Sequence, residues 1–199
     1  MDRDPFLCDA IADQQGIRIL RQDAWEMLIT SIITQNRNIP AIRKSVELLC
    51  EKCSAGCSWP KDVRPFPSPQ QLDQLPDEAL AKCRLGYRMK YIRAAAHAVA
   101  SGEMNLKELA VLSDDDAMKR LTALYGVGAK VASCVLLFGL HRLDAFPTDV
   151  WIRRVLADKY PCGYPFEAYA PYNGVYQQYM FEYYRKAQSW PVAGESDGH

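Results

Sequence analysis

No stretch of this chain approaches the ~20 consecutive apolar residues that a membrane-spanning helix requires. The longest comparable run, residues 131–140, is short and contains Ser133, Cys134 and Gly139. The first ten residues carry Asp2, Asp4 and Asp9 where a secretory leader would have a basic stretch and then an apolar block. Net charge is lacking too, since 24 basic residues balance 24 acidic ones. That excludes a globally basic nucleic-acid binder, though not a local basic patch. Sustained strand-like alternation, internal repeats and low-complexity tracts are also missing. A soluble, intracellular globular protein is expected.

The 199 residues are long enough for a real core, and 49% hydrophobic with 24% charged residues is ordinary globular composition. Residues 84–93 hold Arg84, Arg88, Lys90 and Arg93 with no acid, a candidate basic patch or simply a solvated helix end. The seven cysteines, an odd number, read as reduced thiols. Cys50-x2-Cys53-x3-Cys57 has the start of metal-ligand spacing, but no fourth ligand follows at finger distance. No metal site is expected.

Helical periodicity dominates. Asp23 with Glu26 has the pattern of a capping box, and Trp25, Leu28, Ile29, Ile32 and Ile33 follow as a stripe at i, i+3, i+4. Pro40 suits the first turn of the next helix, which reaches about Cys50. Residues 51–67 read as a connector. Ser68-Pro69-x-Gln71 starts another helix, and a short one follows Pro76. Residues 91–100 are Ala-rich and helical. Asn105 with Glu108 and Ser113 with Asp116 open two more helices. Further helices run from Lys130 to Leu140, from Asp149 to Tyr160, and from Val175 to Lys186. The expected fold is all-α, about ten short helices in two packed subdomains. Residues 1–22 form an N-terminal segment ahead of a helical core at 23–199, with a site expected between the subdomains.

Residues 124–130 (LYGVGAK) join two of these helices through a turn with two glycines. Gly126 and Gly128 permit backbone conformations closed to other residues and let another backbone come close. The amides from Val127 to Val131 lie at the N-terminus of the following helix, where free N–H groups and the helix dipole favour phosphate. A duplex backbone is a natural ligand, because such contacts position a protein without reading sequence. An ordinary tight αα-hairpin is the plainer alternative.

This segment resembles the helix-hairpin-helix motif of the DNA glycosylase superfamily that includes endonuclease III. There a Gly/Pro-rich connector leads to an Asp near the start of the next helix. Here residues 141–150 read HRLDAFPTDV, with Asp149 19 residues beyond Lys130. The resemblance implies removal of a damaged base from an extruded nucleotide. Lys130 would be the amine nucleophile that forms an imine with the opened sugar, and Asp149 would stabilise positive charge on that sugar. The imine then permits strand breakage by β-elimination. Members with a lysine at this position are bifunctional glycosylase/lyases, and the alkyladenine branch lacks it. The iron–sulfur members carry four C-terminal cysteines, whereas only Cys162 lies beyond Cys134 here. No cofactor is expected.

Further segments, over about residues 17–186, are similar to the 8-oxoguanine DNA glycosylases. Residues 31–39 (SIITQNRNI) resemble the loop that fills the space left by the extruded base, with Asn36 inserted. Residues 85–88 (LGYR) resemble the wedge, Tyr87 stacking at the opened step and Arg88 bonding the widowed cytosine. Gln177 and Phe181 match the base pocket, Gln177 at the pairing edge and Phe181 on one face, with the Cys134 thiol on the other. Gly126, Val127, Gly128 and Val131 would contact the DNA backbone. Two positions depart from the vertebrate pattern: Ala41 replaces a second arginine for the opposite cytosine, and Trp151 replaces a histidine that touches phosphate. The mixed β domain usual ahead of the helical core is expected to be absent. The implied activity is excision of 8-oxoguanine from duplex DNA by a monomer that engages no membrane. In a bacterium it would be cytoplasmic and nucleoid-associated. The alternatives are another lesion handled by the same superfamily, or a non-catalytic helix-hairpin-helix module that binds duplex DNA.

Overall fold

Local capping signals set most of the helix starts. The computed structural model describes residues 4–54 and 64–189, and among these are eleven α-helices and no strand. Cys57, the third member of the cysteine spacing, lies outside the described residues. The chain divides into two compact units, residues 20–142 and a second one formed by residues up to Ile19 together with those from Leu143 on.

The first unit carries α2 (Ala24–Ile33), α3 (Ile39–Cys53), α4 (Pro69–Gln74), α5 (Asp77–Ala81), α6 (Arg88–Ala100), α7 (Asp114–Thr122) and α8 (Ala129–Cys134). Asp23 caps α2, accepting from the Glu26 amide at 2.9 Å. Asn38 caps α3 through the Ala41 amide at 3.0 Å, with Pro40 in the first turn. Ser68 and Gln71 form both halves of a capping box at α4. Ser113 caps α7. Each such cap contributes ~1 kcal/mol by satisfying an amide that helix geometry leaves open. The expected helix after Asn105 shrinks to a 3-10 turn, Glu108–Val111. The reason is local: the Asn105 carboxamide takes both the Lys107 amide and the Glu108 carboxylate, closing a turn instead of a cap.

α2 is the centre of this unit. Leu28, Ile29, Ile32 and Ile33 are fully buried, each contributing ~1.5–3 kcal/mol by leaving water. It packs on α3, α6, α8 and the single π-helical turn, Val135–Gly139, that continues α8. Gly139 is small by necessity, since a Cβ there would stand 3.0 Å from the Ala24 Cα. Among the described residues no helix is long and apolar enough to cross a membrane.

The second unit holds α1 (Pro5–Asp13), α9 (Val150–Lys159), α10 (Phe166–Tyr169) and α11 (Asn173–Ser189). Its core joins Leu7, Ile152, Val155, Tyr164 and Met180. Asp4 does two jobs: one oxygen caps α1 through the Leu7 amide, and the other accepts from the Tyr160 hydroxyl at 2.6 Å and the Tyr169 hydroxyl at 3.2 Å. Burial, with the Asp4 carboxylate next, pushes the Tyr169 hydroxyl up to about 12 and raises Tyr160 further. Both phenols therefore stay protonated donors at any physiological pH.

Candidate active site

The hairpin is built by one glycine rather than two. Gly126 has φ +82°, and a Cβ on it would stand 2.1 Å from the Tyr91 ring. Only glycine satisfies both the left-handed backbone and that approach. Gly128 differs from expectation: its φ is −93° and nothing lies within 4 Å of where its Cβ would be. It is exposed, and its open side leaves room for another backbone to come close. As N-cap of α8 it offers no side chain, so no side chain caps the first turn at Ala129 to Val131. Val127 and Val131 are buried and anchor the turn from below.

Lys130 is half-buried, and its Nζ donates to the Thr34 hydroxyl at 3.1 Å. Cys134 is buried one turn later on the same helix. The end of α2 therefore meets the hairpin. Gln35 strengthens that junction, its Nε2 donating to the Gly126 carbonyl at 3.0 Å. Asn36 follows with φ +50°, exposed, and its Nδ2 donates to the Tyr87 hydroxyl at 3.2 Å. Asparagine is among the few residues that tolerate this backbone region. Tyr87 is 46% exposed and meets Tyr91 edge-on, and Tyr91 in turn meets Tyr125. Three aromatics thus run from Tyr87 to the hairpin.

Arg88 is placed differently from a side chain held out to a ligand. It is 6% exposed. Its Nε donates to the Gln35 carbonyl at 2.8 Å, Nη2 to the Gln35 and Asn36 carbonyls, and Nη1 to the Leu85 carbonyl at 3.3 Å. The guanidinium also lies over the Tyr87 ring at 4.3 Å. Arg88 thus clamps the turn that presents Asn36. Arg93 is likewise spent inside the fold, on the carbonyls of Leu72, Asp73 and Leu75 and on the Asp77 carboxylate. Of the expected basic run, Arg84 and Lys90 remain exposed.

Four candidate residues belong to the second unit. Asp149 is the N-cap of α9, with Oδ1 accepting from the Ile152 amide at 2.9 Å. Among the described residues Oδ2 has no hydrogen bond. Gln177 is 2% exposed, its Nε2 bonded to the Pro147 carbonyl at 3.1 Å and its Oε1 accepting from Gln178 at 2.6 Å. The bond to Pro147 ties Gln177 to the connector that precedes Asp149. Phe181 is half-buried against the core of its unit, with Arg185 over its ring at 5.7 Å. Trp151 is half-buried beneath the Arg154 guanidinium at 5.0 Å. Thr34 and Gln35 are the partners that sequence reasoning missed. Both fall within residues 31–39, yet each lies more than ninety residues from the group it holds, so no local pattern marks the contact.

The cysteines show no metal-binding arrangement among the described residues, where no group of three or more His, Cys, Asp or Glu side chains is placed to hold an ion. Burial raises the thiols of Cys50 and Cys83, and pushes Cys53 up to about 11.

An all-helical fold whose glycine hairpin opens a lysine-bearing helix, followed by an aspartate-capped helix, defines a helix-hairpin-helix protein. The chain belongs to the HhH-GPD superfamily of base excision DNA repair proteins, whose family model matches residues 29–163. It is 32% identical over 179 residues to a probable N-glycosylase/DNA lyase of Methanothermobacter thermautotrophicus, covering 79% of this chain and 57% of the relative. It superposes on MBOgg1, solved with a low-affinity DNA ligand, with TM-score 0.86 at 40% identity over 94% of this chain and 68% of that one. The Clostridium acetobutylicum 8-oxoguanine glycosylase/lyase, solved with duplex DNA containing cytosine opposite 8-oxoguanine, gives TM-score 0.84 at 32% identity over the same shares. Weaker matches include DNA-3-methyladenine glycosylases of Schizosaccharomyces pombe and Bacillus subtilis. The chain spans about half the length of the curated relatives it matches, 57%, 43% and 42% for three of them.

Proposed function

We propose that this chain is a bifunctional DNA glycosylase and abasic-site lyase that excises 8-oxoguanine from duplex DNA. One observation carries the reading: Lys130 stands half-buried at the head of the hairpin helix, and Asp149 caps the next long helix with one carboxylate oxygen unspent. A module that only binds duplex backbone needs neither group. The glycosylase/lyase names of the relatives, one of them an 8-oxoguanine enzyme, point the same way.

In this reading the damaged nucleotide is flipped out of the duplex. The Lys130 Nζ lone pair forms a bond to the anomeric carbon as the glycosidic electrons depart with the base, which takes up a proton. Positive charge builds on the sugar, and the Asp149 carboxylate stabilises it. The sugar ring then opens as the C=N bond forms, with the nitrogen proton passing to the ring oxygen. The imine acidifies the adjacent carbon, and loss of its proton expels the 3′ phosphate. Gln177 meets the pairing edge of the base, Phe181 stacks on its face, and the Cys134 thiol is a further base contact. Asn36 fills the vacated space and Tyr87 wedges the step. The hairpin from Gly126 to Val131 holds phosphate, with Trp151 as a further backbone contact. The protein acts on DNA as a monomer.

Reading of the opposite base is expected to be weak. Ala41 offers no donor, and Arg88 spends four of its five N–H groups on main-chain carbonyls, so a two-donor contact with cytosine requires releasing at least one of them. A good bidentate contact gives ~1–3 kcal/mol of discrimination, and this one is offset by the bonds it gives up. Single-turnover excision of 8-oxoguanine opposite each of the four bases is expected to favour cytosine by less than ~100-fold, and Arg88→Ala to flatten what preference exists. A larger preference in the unmutated protein would require a second cytosine reader, and absence of excision opposite every base would remove the assigned substrate.

A further inference from the structure

Lys130 and Thr34 are joined by a hydrogen bond whose direction is fixed. The Thr34 hydroxyl stands 2.7 Å from the Ser31 carbonyl, which has no proton to give, so the single hydroxyl proton is committed there. Towards Nζ, 3.1 Å away, the same oxygen acts only as an acceptor. An amine held this way gives up one N–H and keeps its lone pair. Had the hydroxyl donated instead, it would occupy the electron pair that a nucleophile needs.

Thr34 itself is held from two sides. Its amide closes the last turn of α2 on the Thr30 carbonyl at 3.0 Å. The next residue, Gln35, is fastened to the Gly126 carbonyl of the hairpin that leads to Lys130. A β-branched side chain is stiff about its first torsion, and the bond to the Ser31 carbonyl selects the rotamer that makes it. The acceptor is therefore a fixed point, whereas the lysine it holds is a flexible four-carbon stem.

We propose that Thr34 is a positioning residue for the Lys130 amine, orienting it through one N–H and leaving the nitrogen lone pair free for the sugar carbon. This rests on the reading of Lys130 as the nucleophile.

Imine formation tests it directly on a duplex carrying a preformed abasic site. There the amine nitrogen adds to the sugar aldehyde, the oxygen leaves as water with the two nitrogen protons, and borohydride reduces the C=N bond to a stable amine. Rates are measured at saturating protein, with duplex affinity and equilibrium unfolding measured separately. Thr34→Val is expected to slow trapping at least ~10-fold with affinity little changed, because small misplacements of a reacting group carry large rate penalties. Thr34→Ser, which keeps the hydroxyl, is expected to stay within ~3-fold of the unmutated rate. Should Thr34→Val fail to fold, Thr34→Ala against Thr34→Ser makes the same comparison. Trapping at the unmutated rate without the hydroxyl overturns the proposal. So does equal slowing by valine and serine, or slowing fully explained by lost affinity. If the unmutated protein forms no adduct, the lysine nucleophile falls and the role of Thr34 with it.

Discussion

Lys130→Gln abolishes both borohydride trapping and strand cleavage on a lesion-bearing duplex, while duplex affinity stays within a few-fold. The expectation follows from where the two jobs are housed. Backbone binding is assigned to the uncapped amides of the hairpin and to Gly128, whose open side a substitution at residue 130 does not alter. The covalent step is assigned to one nitrogen, and a carboxamide has no nucleophilic lone pair to replace it. The Gln35 bond to the Gly126 carbonyl does not involve residue 130, so the junction between α2 and the hairpin is preserved. Gel shift and trapping on the same preparation check it. An adduct formed by the variant would place the nucleophile at another residue.

Asp149→Asn slows base excision by ~10² or more, equivalent to ~2.7 kcal/mol of transition-state stabilisation. The same change costs less than ~1 kcal/mol of stability, because asparagine caps a helix about as well as aspartate and keeps an oxygen for the Ile152 amide. What it loses is charge, both toward the α9 dipole and toward a developing sugar cation. Chemistry and folding thus separate within one variant. Single-turnover excision and thermal unfolding measured side by side give the contrast. Unchanged excision would leave Asp149 as a cap and nothing more.

Much of the fold was legible because capping is local. Asn38-x-Pro40, Ser68-Pro69-x-Gln71, Ser113 and Asp149 each announce a helix within four residues, and each cap forms. Asp4-Pro5 carries the same signal for α1, a helix that lies within the expected N-terminal segment. Asn105 shows the converse, a cap-like residue whose side chain closes a turn instead.

The candidate site was legible where a residue type is dictated by local chemistry. Gly126 must be glycine, and the lysine and aspartate stand at recognisable offsets from it. Placement that depends on distant chain was not legible. Nothing in the run of basic residues at 84–93 shows that Arg88 and Arg93 are spent on carbonyls, because those carbonyls belong largely to other segments. Thr34 is invisible for the same reason, since its role exists only once α2 has packed against α8.

The central claim is that this chain attacks an 8-oxoguanine nucleotide through Lys130. The most direct measurement is borohydride trapping on four otherwise identical duplexes, carrying 8-oxoguanine opposite cytosine, an alkylated adenine, uracil, or no lesion. The account predicts a covalent protein–DNA adduct with the 8-oxoguanine duplex, mapped by mass spectrometry to Lys130, and little or none with the other three. Release of the alkylated base without an adduct, or binding of all four duplexes with no base released from any, would contradict it.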